Sequence, residues 1–514
     1  MSTADTTAGG ASAAGAEAHN GHITGFGSRT YRSYVLTVLL LIYILNFVDR
    51  VILSVVARPL KAELGIGDGQ FGLLTGIVFA LLYTLIGIPL ARVAEVRHRV
   101  WIMTVCVILW SFMTAACGLA TEITILGATI GAFYVLAACR VLVGIGEAGC
   151  TPPANSLIAD YYPPVKRSTA LGYYAMGVTI GTMLSNGFGG PITDALGWRW
   201  AFFALGLPGI AVAALLKFTV KEPPRGYTDP PGTVKQERAA FTEALKELFS
   251  KPSYWWMTFG ATFAAFSGYA IGAFQSLYLQ RTFDLSAGQA AVWFNVPSYG
   301  ASAVGTFVMG WLMERAAKSS PSAVAWMPAV GLIACVPVYW WAFTTSSMTI
   351  CLVTLMIGGF VKYGYLAAQY TIGQGVVGMR TRATAIAIML FVINLIGYGL
   401  GPVFAGYVSD FFFWQLLGDA GYLGEVTRAT CDGAQQALSD FRLAEGLSVL
   451  SDAQTAQVLQ GLTPPVGTDV LDFCNQANAE STRNSMLALG AIYAFAGFLF
   501  LMCARTVSKE MLAR

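Results

Sequence analysis

Charge is what this chain has least of. Only 11% of its 514 residues are charged, while 55% are hydrophobic; an ordinary soluble domain carries about 25% charged residues. A soluble chain of this length could not cover its surface with so few charges. Soluble enzymes, nucleic-acid-binding proteins and disordered chains are therefore disfavoured together, and a net charge of +3 gives no field for a polyanion. Histidine is almost missing. His19, His22 and His98 are the only three, in a tail and a loop, which leaves no zinc constellation and no His-dependent membrane acyltransferase site. No Gly-x-x-x-x-Gly-Lys-Ser/Thr loop occurs, which argues against an ATP-driven pump. No cofactor, no metal and no enzyme activity are expected. Gly144-Ile145-Gly146-Glu147-Ala148-Gly149 matches the dinucleotide pattern literally, but it follows no strand and sits inside an apolar run. Close helix packing through small residues explains it better, as it does Gly177 with Gly181 and Gly397 with Gly401.

What the chain does have is apolar runs of about 20 residues or more, each long enough to cross a bilayer core of roughly 30 Å. They lie at about 31–58, 70–91, 100–120, 128–159, 167–192, 200–220, 253–280, 287–313, 323–345, 347–375, 382–408 and 483–505, giving twelve expected spans. Residues 1–30 are small and polar and read as a disordered tail, without a cleavable signal peptide. Basic residues are retained on the cytoplasmic side of a membrane. With the N-terminus inside, 21 of the 31 basic residues fall in cytoplasmic segments, 7 in outer ones and 3 within spans. A multi-pass protein of the cell membrane, the inner membrane in a bacterium, with both termini cytoplasmic is expected. Its parts would be a six-helix bundle over 31–220, a linker over 221–252 with an amphipathic stretch at 240–249, a second bundle over 253–506 with an extracytoplasmic insert at 411–482, and a tail at 507–514. Of nine cysteines, seven fall in spans as small apolar residues. The other two, Cys431 and Cys474, lie in the insert, where a disulfide is chemically allowed.

The halves repeat. Ala91 and Glu95 after span 2 correspond to Gly310 and Glu314 after span 8 at an offset of 219, and Arg167 opening span 5 corresponds to Arg382 opening span 11 at an offset of 215. With this frame the sequence resembles the major facilitator superfamily, and within it the spinster-like transporters. The resemblance is carried by Asn46-Phe47-Val48-Asp49-Arg50, Arg140-Val141-Leu142-Val143-Gly144-Ile145-Gly146-Glu147-Ala148, Ile158-Ala159-Asp160 with Pro163 and Arg167, and Gly197-Trp198-Arg199-Trp200-Ala201-Phe202. The family's loop signature Gly-x-x-x-Asp-Arg-x-Gly-Arg is degraded here to Ala91, Glu95, Val96 and His98, leaving Arg99. The resemblance implies an all-α membrane protein of twelve helices in two six-helix bundles, working by alternating access; a monomer is the expected unit, with the sequence leaving oligomeric state open. It also implies an amphipathic lipid substrate such as a lysophospholipid or sphingoid phosphate. A small organic anion or drug is the alternative substrate class. A lipid-modifying enzyme and a channel are rivals of other classes.

Five ionisable side chains lie deep in spans: Asp49, Arg50, Arg140, Glu147 and Lys362. Each costs about 2.5 to 3.5 kcal/mol at a helix centre, so idle charges are improbable; the plain reading is an ion pair that locks helices. Arg140, Gly144 and Glu147 share one helical face, with the charges roughly 10 Å apart along the axis. Gly144 is expected to keep that face open. Lys362 matches Glu147 at the repeat offset of 215. The resembled fold places spans 1, 4, 7 and 10 around a central cavity, so all five charges are expected to meet there. Asp49 and Glu147 would exchange protons when an anionic substrate takes their Arg partner among Arg50, Arg140 and Lys362. Tyr269, Phe274, Tyr363 and Tyr365 are candidates for a tail site. Glu95, Arg99, Arg167, Glu314, Arg315 and Arg382 are candidates for loop salt bridges at a gate. Substrate, protons and membrane lipids are the expected partners, with no nucleic acid.

Overall fold

The computed structural model describes residues 24–125, 128–228, 241–378, 380–445, 447, 450–462 and 466–511. Most of the expected tail lies outside them. Its last residues do not trail away: the Phe26 amide donates to the Tyr161 carbonyl at 3.2 Å, and its ring meets Tyr161 and Tyr227 edge-on.

Ten stretches are helical, long and apolar enough to cross a membrane. The two expected spans outside that set, 5 and 8, are helical too, but broken and more polar. Span 5 is Pro164–Ala175 followed by Gly177–Leu196. Span 8 is Ala287–Gln289, a π-helical turn Ala290–Asn295, and Val296–Ser319. Both are shielded by the other half of the molecule, so Ser185, Asn186 and Asn295 are buried against protein and need not match lipid. This is the twelve-helix fold expected from the sequence.

Three boundaries differ from expectation. Span 4 begins at Ala132, because Ile123–Ile125 and Ala128–Ile130 pair as an antiparallel hairpin ahead of it. Span 11 continues as helix to Ala420, and the last helix starts at Thr468 and runs unbroken to Glu510. The expected insert is thereby shortened to the chain between these helices, which holds Arg428–Glu445 and Asp452–Gln460. Polar residues over 468–482 hid the start of the last helix from a hydropathy reading, whereas the continuation of span 11 is largely apolar, with Phe411, Phe412, Phe413 and Trp414, and exceeds the length needed to cross a bilayer.

The two ends of the molecule are defined by their connections. Tyr31, near the start of span 1, donates from its hydroxyl to the Thr219 carbonyl at 2.8 Å, where the 221–252 linker begins. Ser253, where that linker ends, donates from its amide to the Glu510 carboxylate of the last helix at 3.1 Å. Both terminal helices thus meet the linker at one end, called the linker face; the insert caps the opposite end, the insert face.

The halves touch through glycine-lined seams near the insert face. A methyl group on Gly406 of span 11 would sit 2.1 Å from the Asp68 carbonyl of span 2, and one on Gly190 of span 5 would sit 2.9 Å from the Ala287 carbonyl of span 8. Among the described residues, every hydrogen bond and ion pair joining the two halves starts from Arg58, Lys61, Asp68, Gly69, Asn186 or Asp194. All six belong to the insert-facing part of the first half. Toward the linker face span 2 loses its cover: Leu85, Ile88 and Val93 are exposed.

Candidate functional site

Span 4 breaks where its charge sits. The helix Ala132–Ala148 stops one residue after Glu147 and restarts at Thr151. Span 10 does the same, stopping at Lys362 and restarting at Tyr365. The two breaks lie at the repeat offset, so Glu147 and Lys362 hold equivalent positions in the two halves.

Glu147 is paired with Arg50, its Oε2 accepting from Nε at 2.5 Å. The guanidinium lies 4.5 Å from the ring centroid of Tyr83, 5.1 Å from those of Phe47 and Phe79, and 5.9 Å from that of Tyr398. Cation–π contacts of this kind contribute about 0.5 to 2 kcal/mol each, more when dry. The Arg50 side chain is 11% exposed, whereas the Glu147 side chain is fully enclosed. Tyr398 belongs to a π-helical segment of span 11, Ile393–Leu400, and its ring meets Tyr269 of span 7 edge-on at 4.6 Å. A charge in the first half is therefore roofed by aromatics of the second.

Arg140 faces the same ring of Phe79 at 5.1 Å, and its Nη1 donates to the backbone carbonyl of Asp49 at 3.1 Å. Asp49 makes no ion pair with an arginine among the described residues, contrary to expectation; its carboxylate lies near Thr114 and Trp110 of span 3 without a hydrogen bond to either. Several buried atoms here lack a hydrogen-bond partner among the described residues, among them Asn46 Oδ1, Asp49 Oδ1, Trp110 Nε1, Thr114 Oγ1, Glu147 Oε1, and Nε and Nη2 of Arg140. Unsatisfied buried polar atoms are costly, which makes this cluster the candidate binding site.

Two further expectations are corrected. Gly144 does not hold a face open; a Cβ there would lie 2.9 Å from the Phe79 carbonyl, so the glycine admits span 2 close to span 4. Lys362 does not join the other four charges. It makes no ion pair among the described residues, and its ammonium sits 4.8 Å from the Tyr363 ring and 5.9 Å from the Tyr339 ring. Tyr363 is half-buried beside it. Tyr365 and Phe274 are buried, and Phe274 packs on Phe71 across the two halves at 5.5 Å rather than lining a cavity.

The gate candidates divide. Arg99 is fully buried and binds Glu222 and Asp160 at 2.5 Å each, Ser156 at 2.8 Å and the Pro223 carbonyl at 3.0 Å. It ties the 2/3 loop and the end of span 4 to the start of the linker within one half. Arg167 donates to the Ala159 carbonyl and to Thr228. Arg315 stacks on Trp311 at 4.5 Å, and neither it nor Glu314 forms a salt bridge among the described residues. Arg382 is exposed, and the side chain of Glu95 lies outside the description. The linker helix Phe241–Phe249 instead grips the second half through Glu247, which accepts from the Gly378 amide at 2.8 Å and the Thr381 hydroxyl at 2.5 Å.

A second charge cluster, at the insert face, was not anticipated. Asp68 of span 2 accepts from Lys61, from Arg281 of span 7 at 2.7 and 3.0 Å, and from Arg428 of the insert. Asp432, also of the insert, accepts from Lys61 at 2.6 Å, Arg281 at 2.8 and 3.0 Å and Asn478 at 3.1 Å. Asp410 accepts from the amides of Asp68 and Gly69 at 3.1 and 2.7 Å, with Arg428 at 3.3 Å. Burial alone would raise the Asp432 carboxyl, but the Arg281 and Lys61 cations outweigh it and hold the group below the ordinary carboxylate range. Cys431, next to Asp432, is disulfide-bonded to Cys474 of the last helix, with Cα atoms 5.0 Å apart. In the sequence these charges look like topology signals near span ends.

Twelve helices in two halves, a repeat-related pair of charged helix breaks and a seam on one face define a transporter fold. The chain belongs to the Major Facilitator Superfamily, whose family model matches residues 39–402. Within it the chain is a spinster-like transporter. It is similar to a bacterial homologue of the human lysosomal transporter spinster, solved in an inward-facing and unoccupied conformation, with 38% identity, a TM-score of 0.79, and coverage of 95% of this chain and all of that one. It is 28% identical to protein spinster homolog 1 of Xenopus tropicalis over 91% of this chain and 90% of the relative. It is 30% identical to an MFS-type efflux pump of Mycolicibacterium smegmatis over 73% and 83%. A sphingosine-1-phosphate transporter of Mus musculus is 24% identical over 83% and 80%. The family and these neighbours are transporters, not enzymes.

Proposed function

We propose that the protein is a proton-coupled secondary transporter that moves an amphipathic, lipid-like anion of the lysophospholipid or sphingoid-phosphate type by alternating access. The linker face is cytoplasmic in this reading, both termini lie in the cytoplasm, and a monomer is the working unit. The carrying observation is the Arg50–Glu147 pair, dry on the carboxylate side, slightly exposed on the guanidinium side and ringed by aromatics from both halves. An anionic head group that engages Arg50 weakens its hold on Glu147, whose freed carboxylate then takes a proton; Asp49 is the neighbouring proton site. Arg140 and Lys362 supply further positive charge, and Tyr269 and Tyr363 offer ring faces to the substrate. Arg99, Arg167, Glu314, Arg315, Arg382 and Glu95 belong to the linker-face gate, which closes when the insert face opens. The similarity to a sphingosine-1-phosphate transporter supports a lipid. A small organic anion or drug is the second reading, favoured by the resemblance to an efflux pump.

Proteoliposome counterflow with a panel of labelled lysolipids, with and without a pH gradient, tests this directly. Saturable exchange without ion conductance is expected, faster for anionic head groups. Asp49→Asn and Glu147→Gln should retain exchange and lose the response to the gradient. Gradient-driven uptake preserved in both variants would refute the coupling, and counterflow of only tail-less anions would refute the lipid assignment.

A further inference from the structure

The insert-face cluster is shared among three parts of the chain. Lys61 and Asp68 belong to the first half, Arg281 and Asp410 to the second, and Arg428 and Asp432 to the insert between spans 11 and 12. The side chains of Lys61, Asp68, Arg281 and Asp432 have no exposed surface. Breaking a buried ion pair by removing one partner is far more costly than separating two neutral groups. What matters for opening is therefore how the charges divide when the halves part.

They divide evenly. Lys61 leaves with Asp68, to which it is already bonded. Arg281 and Arg428 stay with Asp410 and Asp432. Within this cluster each side keeps equal numbers of cations and carboxylates; buried Arg58 beside it, bonded to second-half carbonyls, leaves with the first half as an additional cation. Asp432 makes this possible, since without it the second side would hold two guanidiniums and one carboxylate. In the closed state it also bridges the halves, touching Lys61 on one side and Arg281 on the other.

Its position depends on how the insert is fixed. The Arg428–Glu445 helix meets the last helix through the Cys431–Cys474 disulfide one residue from Asp432, and through Asn478, which donates to Asp432 and to Gln435. The insert is thereby fastened to the second half, while its contacts with the first half, Lys61 to Asp432, Arg428 to Asp68 and Arg58 to the Gln435 carbonyl at 2.5 Å, are non-covalent. We infer that Asp432 is the bolt of the insert-face gate, and that the Cys431–Cys474 disulfide holds this bolt on the second half, so that cutting the bond by thiol reduction releases the gate toward its open state. Reduction is a two-electron exchange: a dithiol becomes its cyclic disulfide, and Cys431 and Cys474 each end as a thiol.

The inference rests on the alternating-access reading, and its test measures geometry rather than transport, so the two can fail separately. Cysteine-independent spin labels carried by non-natural side chains at Glu122 and Ser346, both exposed and on opposite halves at the insert face, report the gate distance in nanodiscs. Asp432→Asn should raise the long-distance population at least fivefold, as should dithiothreitol on the unmutated chain; Asp432→Glu should return it to within twofold of the original. Glu445→Gln, an exposed acid at the end of the same helix, should leave it unchanged. A lower thermal midpoint in Asp432→Asn with no change in distance would reduce the residue to a structural role and overturn the inference. Insensitivity of the distance to verified reduction would overturn the part played by the disulfide.

Discussion

Arg50 holds its charge against four aromatic rings and a single carboxylate oxygen, an arrangement that a planar guanidinium satisfies and an ammonium does not. Arg50→Lys should keep the charge yet lose about 1 to 2 kcal/mol of stacking, weakening substrate binding about tenfold by equilibrium titration, since each 1.4 kcal/mol is a factor of ten. Asp432 gives the opposite kind of forecast. Its carboxyl is held below the ordinary range in the folded state. The stability it lends is therefore present above an unfolded value near 3.9 and is lost only as pH falls through the lower folded value. Between pH 7 and pH 5 the Glu122–Ser346 distance should thus stay constant, apart from shifts driven by protonation of Asp49 or Glu147. The central charges were legible in the sequence because a charge in mid-membrane is expensive and stands out. Lys61, Asp68, Arg281, Arg428 and Asp432 were not legible, because near a span end a charge costs little and looks like ordinary loop chemistry until tertiary packing buries it.

At the scale of the helix, the interruptions carry the information. The breaks after Glu147 and Lys362 follow from a repeat that was visible as an offset, whereas the π-helical turns at Ala290–Asn295 and Ile393–Leu400 left no mark in the pattern of apolar residues. Spans 5 and 8 were found by sequence despite their polar content. Their polar side chains pair across the seam where Asn295 donates to Asn186 at 2.8 Å, and within the second half Gln275 of span 7 donates to Asn295 at 2.8 Å. The start of span 12 was misread because it emerges into the insert and carries polar residues, and the end of span 11 because its helix runs on past the length needed to cross a bilayer. Gly144 tests the packing reading: Gly144→Ala places a methyl group 2.9 Å from the Phe79 carbonyl. This overpacking should cost about 1 to 3 kcal/mol, read as a lower unfolding midpoint in detergent. For the linker helix, Glu247→Ala removes both bonds to the 10/11 loop and should speed protease cleavage of the linker several-fold.

Taken as a whole, the molecule is fastened at one end. Ion pairs, amide chains and glycine seams join the halves on the insert face, and spans 2 and 8 present Leu85, Ile88, Val304 and Phe307 as exposed apolar surface in their linker-facing parts. A state so polarised predicts asymmetric reactivity: thiol probes placed at Ile88 should react readily and probes at Gly69 hardly at all, with the difference reversing if the insert face opens. The exposed apolar flank also bears on supply. A hydrocarbon tail leaving a bilayer for such a wall exchanges one oily environment for another and is never hydrated on the way, so the leaflet rather than the surrounding water is the natural reservoir for an amphiphilic substrate. Half-saturation should then follow the substrate's mole fraction in the lipid phase, and diluting the vesicles at a fixed substrate-to-lipid ratio should leave the transport rate per protein unchanged.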